Sequence, residues 1–98
     1  MGTRNLNYRI IIEKEKYQDG SPVFVAYCPT LGISDYGNTV ESAKEHMHEA
    51  IQCHVEGLMK TGTEVPAPDP QDVFISQTEI TVKKISDWHF KYAQINST

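Results

Sequence analysis

Pro22-Val-Phe-Val-Ala-Tyr-Cys-Pro-Thr-Leu-Gly-Ile-Ser-Asp-Tyr-Gly-Asn-Thr-Val-Glu-Ser-Ala-Lys-Glu-His-Met-His-Glu-Ala-Ile51 is the stretch that decides the fold. Val23 to Cys28 is rich in the β-branched and aromatic residues that suit a pleated surface. Pro29 cannot donate to a ladder and ends that strand. Gly32 permits a bend, after which Ile33 to Tyr36 form a third short strand. At Thr39 the period changes abruptly. Val40, Ala43, Met47, Ala50, Ile51, Val55, Leu58 and Met59 recur at three- and four-residue steps, which is an amphipathic helix.

Working outward, the helix starts at Asn38 or Thr39, either of which can cap the first turn, and Glu41 adds a favourable early carboxylate. Lys60 lies in the last turn and Gly62 suits the left-handed position just beyond it. The predicted rod is about 22 residues, or roughly 33 Å. Upstream, Tyr8, Ile10 and Ile12 alternate with Arg9 and Ile11 as a first strand, and Glu13 to Lys16 carry it into solvent. Gln18-Asp19-Gly20-Ser21 supplies the hairpin turn. Downstream, Pro66, Pro68 and Pro70 stiffen a strap back towards the sheet, and Glu79 to Ile85 alternate as a fourth strand. The expected class is α+β: a three- to four-stranded antiparallel sheet with one long helix on one face, in the order β-β-β-α-β. Residues 1–86 form this domain and residues 87–98 a tail.

The chain has 98 residues, with 39% apolar and 22% charged side chains. That suits a single globular core burying about two thirds of its unfolded surface. A net charge of −4 argues against a general nucleic-acid binder and suits a basic protein partner. Cys28 and Cys53 are too few for a disulfide framework and read as two buried, reduced thiols. Neither a secretion signal nor an apolar run of the ~20 residues needed to span a bilayer is legible, so the cytoplasm is the expected location.

Catalytic and metal chemistry find little support in the pattern. His46 and His48 are two apart on a helix and diverge, as do the adjacent Cys53 and His54, so no zinc set and no cofactor is expected. Asp19, Asp35, Glu41 and Glu45 are the acidic side chains nearest to a two-metal nuclease arrangement. Ile10, Ile11 and Ile12 nonetheless occupy the strand centre where such a site wants Asp. The chain is not expected to be an enzyme.

Both parities of strand two are apolar, so the sheet face away from the helix is not expected to stay wet. It is covered either by the tail or by another copy. A homo-oligomer interface is assigned to Ile11, Phe24, Trp88 and Phe90.

The opening strand ending in Glu-Lys, Asp19-Gly20, Val25-Ala26-Tyr27, Pro29 with Leu31-Gly32, Gly37-Asn38-Thr39, Ala43, Ala50-Ile51, Leu58 and Gly62-Thr-Glu-Val-Pro66 together resemble the HicB antitoxin family. The resemblance covers residues 8 to about 70 and implies a partial RNase H-like fold lacking catalytic carboxylates. It also implies a partner, HicA, a small basic ribonuclease toxin with a double-stranded-RNA-binding fold whose active histidine the antitoxin masks. Family members usually carry Asp before the Leu of the bend, where this chain has Thr30. Many carry a C-terminal DNA-binding module. The residues after strand four are too few for one, so DNA binding by this chain alone is not expected. On this reading Tyr17, Asp19, Asp35 and Tyr36 are the candidate partner contacts: Tyr supplies rigid area and Asp opposes Arg or Lys. The alternatives are a solitary oligomer that binds RNA or a small molecule, and a degenerate RNase H-like nuclease.

Overall fold

The computed structural model describes residues 2–83. Three antiparallel strands, β1 (Ile11–Lys16), β2 (Pro22–Cys28) and β3 (Ile33–Gly37), form a sheet in the order β1-β2-β3, followed by the helix α1 (Val40–Lys60). Ile11 pairs with Tyr27 and Lys16 with Pro22, while Val25 pairs with Tyr36 and Cys28 with Ile33. β1 therefore includes Glu13 to Lys16, because the ladder runs right up to the hairpin turn.

The helix is closed at both ends by local chemistry. Thr39 accepts from Ser42 N at 3.0 Å, and Ser42 Oγ accepts from Thr39 N at 3.2 Å, a reciprocal capping box. At the other end Gly62 takes φ 69°, with Gly62 N donating to Met59 O and Thr63 N to Leu58 O. Both bonds belong to a Schellman close, which only a residue free of a Cβ penalty enters cheaply.

The helix lies on the face that carries Phe24, Ala26 and Cys28. Ala26, Cys28, Ala43 and Met47 are completely buried there, with Tyr8, Ile10, Ile12, Phe24, Leu31, Ile33, Ala50 and Ile51 packed around them. Gly37 brings the first helical turn hard against β3: a Cβ at this position would lie 2.5 Å from Ala43 N and closer still to Ser42 Oγ. Val55 is buried further along the rod, whereas Val40 and Met59 at its ends are exposed.

Beyond the helix, a strap returns to the start of the sheet. Tyr8 OH donates to Pro66 O at 2.7 Å, and Asp69 N donates to Asn7 O at 2.8 Å.

Three expectations are corrected. Cys28 is buried but Cys53 is exposed, because Cys53 sits off the stripe defined by Ala43, Met47 and Val55. Glu79 to Lys83 is not in a strand; Lys84 and Ile85 lie outside the described residues. Ile11 and Phe24 do not share a surface. Phe24 is half-buried beneath the helix, while Ile11 stands opposite Tyr27 on the other face. Trp88 and Phe90, the other two residues assigned to that interface, lie outside the described residues, as does the tail 87–98.

Candidate partner-binding surface

Among the described residues, none covers the sheet face away from α1. Strand alternation places Ile11, Glu13 and Glu15, then Val23, Val25 and Tyr27, then Ser34 and Tyr36 on this side. Tyr27 is 45% and Tyr36 58% exposed, large fractions for rings standing on a sheet. Between them and the hairpin lies a cleft of about 480 Å³ lined by Tyr17, Val23, Val25, Ser34, Asp35 and Tyr36. Val23 forms its buried floor. The walls are aromatic and half-exposed.

Local hydrogen bonds hold each wall. Tyr17 is fixed by the hairpin: its N–H donates to Ser21 O and its carbonyl accepts from Gly20 N, both at 2.9 Å. Gly20 takes φ 89° to make that turn. Asp19 Oδ1 accepts from Ser21 N at 2.9 Å and from Ser21 Oγ at 2.6 Å. These bonds, the hydroxyl first, hold the Asp19 carboxyl below its usual pKa. The turn thus uses one oxygen of Asp19, and Asp19 does not line the cleft.

Tyr36 is held through its backbone. Its N–H donates to its neighbour's Asp35 Oδ1 at 2.8 Å, and its carbonyl accepts from His46 Nδ1 at 2.6 Å. A carbonyl can only accept, so Nδ1 of His46 carries the proton in this arrangement. The structure therefore brings Tyr17, Asp35 and Tyr36 to one cleft and leaves Asp19 outside it. Sequence reasoning missed Val23 and Ser34, which the strand period could have supplied. It also missed His46, which stands ten residues from Tyr36 and carries no local signal of that contact.

A smaller groove of about 250 Å³ lies at the strap, lined by Asn7, Arg9, Asp69, Pro70, Gln71, Val73 and Ile75. Asp69 is its organiser. Its Oδ2 accepts from Arg9 N and its Oδ1 from Thr30 Oγ1, each at 2.7 Å. The Arg9 amide first, then the Thr30 hydroxyl, lower the Asp69 pKa. Thr30, the residue that departs from the usual Asp of the bend, is thus a donor to a carboxylate supplied by the strap. Among the described residues, no three His, Cys, Asp or Glu side chains are grouped so that they could hold a metal ion, and no helix is long and apolar enough to cross a membrane.

The chain is similar to known proteins along most of its length. Residues 8–96 match the family model described as HicB-like antitoxin of bacterial toxin–antitoxin systems. The chain is 33% identical over 91 residues to the protein described as an uncharacterized 14.9 kDa protein in the rep-hol intergenic region of Haemophilus phage HP1, covering 86% of this chain and 67% of that one. It is 38% identical over 64 residues to the UPF0150 protein ssr1765 of Synechocystis sp., covering 64% of this chain and 76% of that one. No solved structure matches it.

Proposed function

The chain belongs to the HicB-like antitoxin family, and from that premise we propose that it masks a small, basic ribonuclease toxin of the HicA kind. The cleft on the open face is the docking site. One observation carries the reading: Tyr17 and Tyr36 flank a buried apolar floor on a face that the helix leaves uncovered. Half-exposed tyrosines over such a floor are the anchors that dominate protein–protein affinity, since they give much rigid area for two torsions. Glu13 and Glu15 stand on the same face and Asp35 lines the cleft, within a chain of net charge −4. A cationic partner gains from that field in its rate of association and in orientation. A partner Arg entering the cleft meets aromatic faces as well as the one lining carboxylate, Asp35, a pairing that favours guanidinium over ammonium.

Inhibition on this reading is steric. The antitoxin contributes no reacting group; it occupies the surface through which the toxin reaches RNA, and thereby covers the toxin's active histidine.

The test is co-expression with a small basic toxin of the HicA kind, taken from beside this gene if one is encoded there. The expected result is a complex that survives purification and a toxin whose RNA cleavage is suppressed in proportion to bound antitoxin. Salt should slow its association, because the attraction is partly electrostatic. Full suppression of cleavage by a Tyr17→Ala, Tyr36→Ala double variant at the same concentration would remove the cleft from the account.

A further inference from the structure

We propose that His46 is a positioning residue for the cleft: it fixes the Tyr36 ring by holding the strand backbone from which that ring projects. The inference rests on the docking role given to the cleft above, and adds to it a residue from a different element.

β3 is an edge strand, and its residues are not supported alike. Along such a strand the N–H and C=O groups of successive residues turn alternately towards the neighbouring strand and away from it. Tyr17 N bonds Ser21 O at the hairpin, which sets the alternation through β2 and leaves Ser34 and Tyr36 with their groups pointing outward. Outward groups of an edge strand have no ladder partner. The φ and ψ angles of a residue placed there are held only through its neighbours.

At Tyr36 two side chains supply what a further strand would. Asp35 Oδ1 accepts from the Tyr36 N–H at 2.8 Å, and His46 Nδ1 donates to the Tyr36 carbonyl at 2.6 Å. One bond restrains the peptide before the Tyr36 Cα and the other the peptide after it. The direction in which the ring leaves the strand follows from those two peptides. Packing holds the ring itself only weakly, since it is 58% exposed.

The two bonds differ in origin. Asp35 is the adjacent residue and acts within β3. His46 reaches across from the second turn of α1, ten residues on. Its bond therefore ties one wall of the cleft to the helix. The helix is itself firmly seated, by the fully buried Met47 beside His46 and by the close approach of its first turn to Gly37. The opposite wall, Tyr17, is fixed by the main-chain bonds of the hairpin. Both rings are thus aimed by their backbone and not by burial. They stay exposed for a partner, and less ordering is left to be done when it binds.

Two measurements test the proposal, and the first needs no partner. In free histidine the neutral ring carries its proton mainly on Nε2, whereas donation to a carbonyl requires it on Nδ1. Nitrogen NMR of the isotopically labelled imidazole, in the full chain above neutral pH, should find the His46 proton on Nδ1. A proton on Nε2 would mean that the bond is not made. It would overturn the proposal and leave the role of the cleft untouched.

The second measurement is titration calorimetry with a small basic toxin of the HicA kind. His46→Ala removes the donor and should weaken binding about fivefold, the weight of one hydrogen bond. An Asn amide nitrogen can stand where Nδ1 does, so His46→Asn should restore most of the affinity. The longer Gln places its amide near the Nε2 position, and His46→Gln should bind as poorly as the Ala variant. Because His46 acts through Tyr36, His46→Ala should change nothing further in a Tyr36→Ala background. An equal loss in that background, or an Asn variant as weak as the Ala one, would reveal a general structural role and overturn the proposal. Parent affinity in His46→Ala beside weak binding by Tyr36→Ala would also overturn it, with the cleft still standing. Parent affinity in Tyr36→Ala would remove the docking reading itself, and this inference with it.

Discussion

The two faces of β2 differ by a single step along the backbone and have opposite fates. Ala26 and Cys28 are sealed completely beneath the helix, with Phe24 beside them. Val23, Val25 and Tyr27 look the other way, into a cleft and onto a surface whose tyrosines remain in water. Both sets are apolar by composition, so composition does not separate them. What separates them is α1, which a 21-residue rod pressed down at Gly37 can bring to one face only. The lesson is that one face holds the fold together and the other is left uncovered by the described residues.

The comparison is broken most severely from the covered side. Met47→Ala removes a fully buried side chain from the middle of the helix contact. It should cost about 3 kcal/mol, in the usual range for such truncations, read as a lower midpoint in urea unfolding. A loss no larger than that of a cleft residue would mean the two faces are not different in kind. Gly37→Ala comes next. The added methyl must displace Ser42 or the Ala43 backbone, so about 2 kcal/mol should be lost, seen as a lower melting temperature. Thr39→Ala opens the capping box and should cost about 1 kcal/mol by the same assay, since it frees the Ser42 N–H from its acceptor.

The smallest effect concerns the strap. Asp69 has a folded pKa below its ordinary 3.8, so its contribution is complete above that value and is lost as pH falls through the lower folded one. Asp69→Asn should therefore destabilise the protein at neutral pH, and the difference from the parent should shrink on acidification. Parallel unfolding curves from neutral to acid pH check this. A gap that stays constant, or widens in acid, would contradict the role assigned to that carboxylate.

Local pattern carried much of this molecule. The change of period at Thr39, the Lys60 and Gly62 ending and the Asp19-Gly20 turn all act within a few residues, and each is where the sequence places it. The side of β2 that meets the helix was not legible, because Phe24-Ala26-Cys28 and Val23-Val25-Tyr27 offer comparable apolar stripes. Phe24 packs beneath the helix and Ile11 stands on the other face, a split that residue type alone does not mark. Cys53 was misplaced for a similar reason: a thiol suits a core, yet its helical angle sets it off the buried line. The Asp69 clamp joins residues 60 and 39 positions apart, and no short-range signal marks such a pairing. Thr30 makes sense only once that carboxylate is beside it. In the cleft, Tyr17, Asp35 and Tyr36 could be nominated from residue type and position, but Asp19 could not be excluded until its bonds to Ser21 were seen.

The central claim is that the open face serves binding and not folding. The most direct measurement is the affinity of Tyr36→Ala for the basic toxin, by titration calorimetry, beside its urea unfolding curve. The account predicts a loss of about 2 kcal/mol in binding, roughly 30-fold, with stability within about 0.5 kcal/mol of the parent. Unchanged affinity together with a large loss of stability would show that the ring at Tyr36 belongs to the core, and would contradict it.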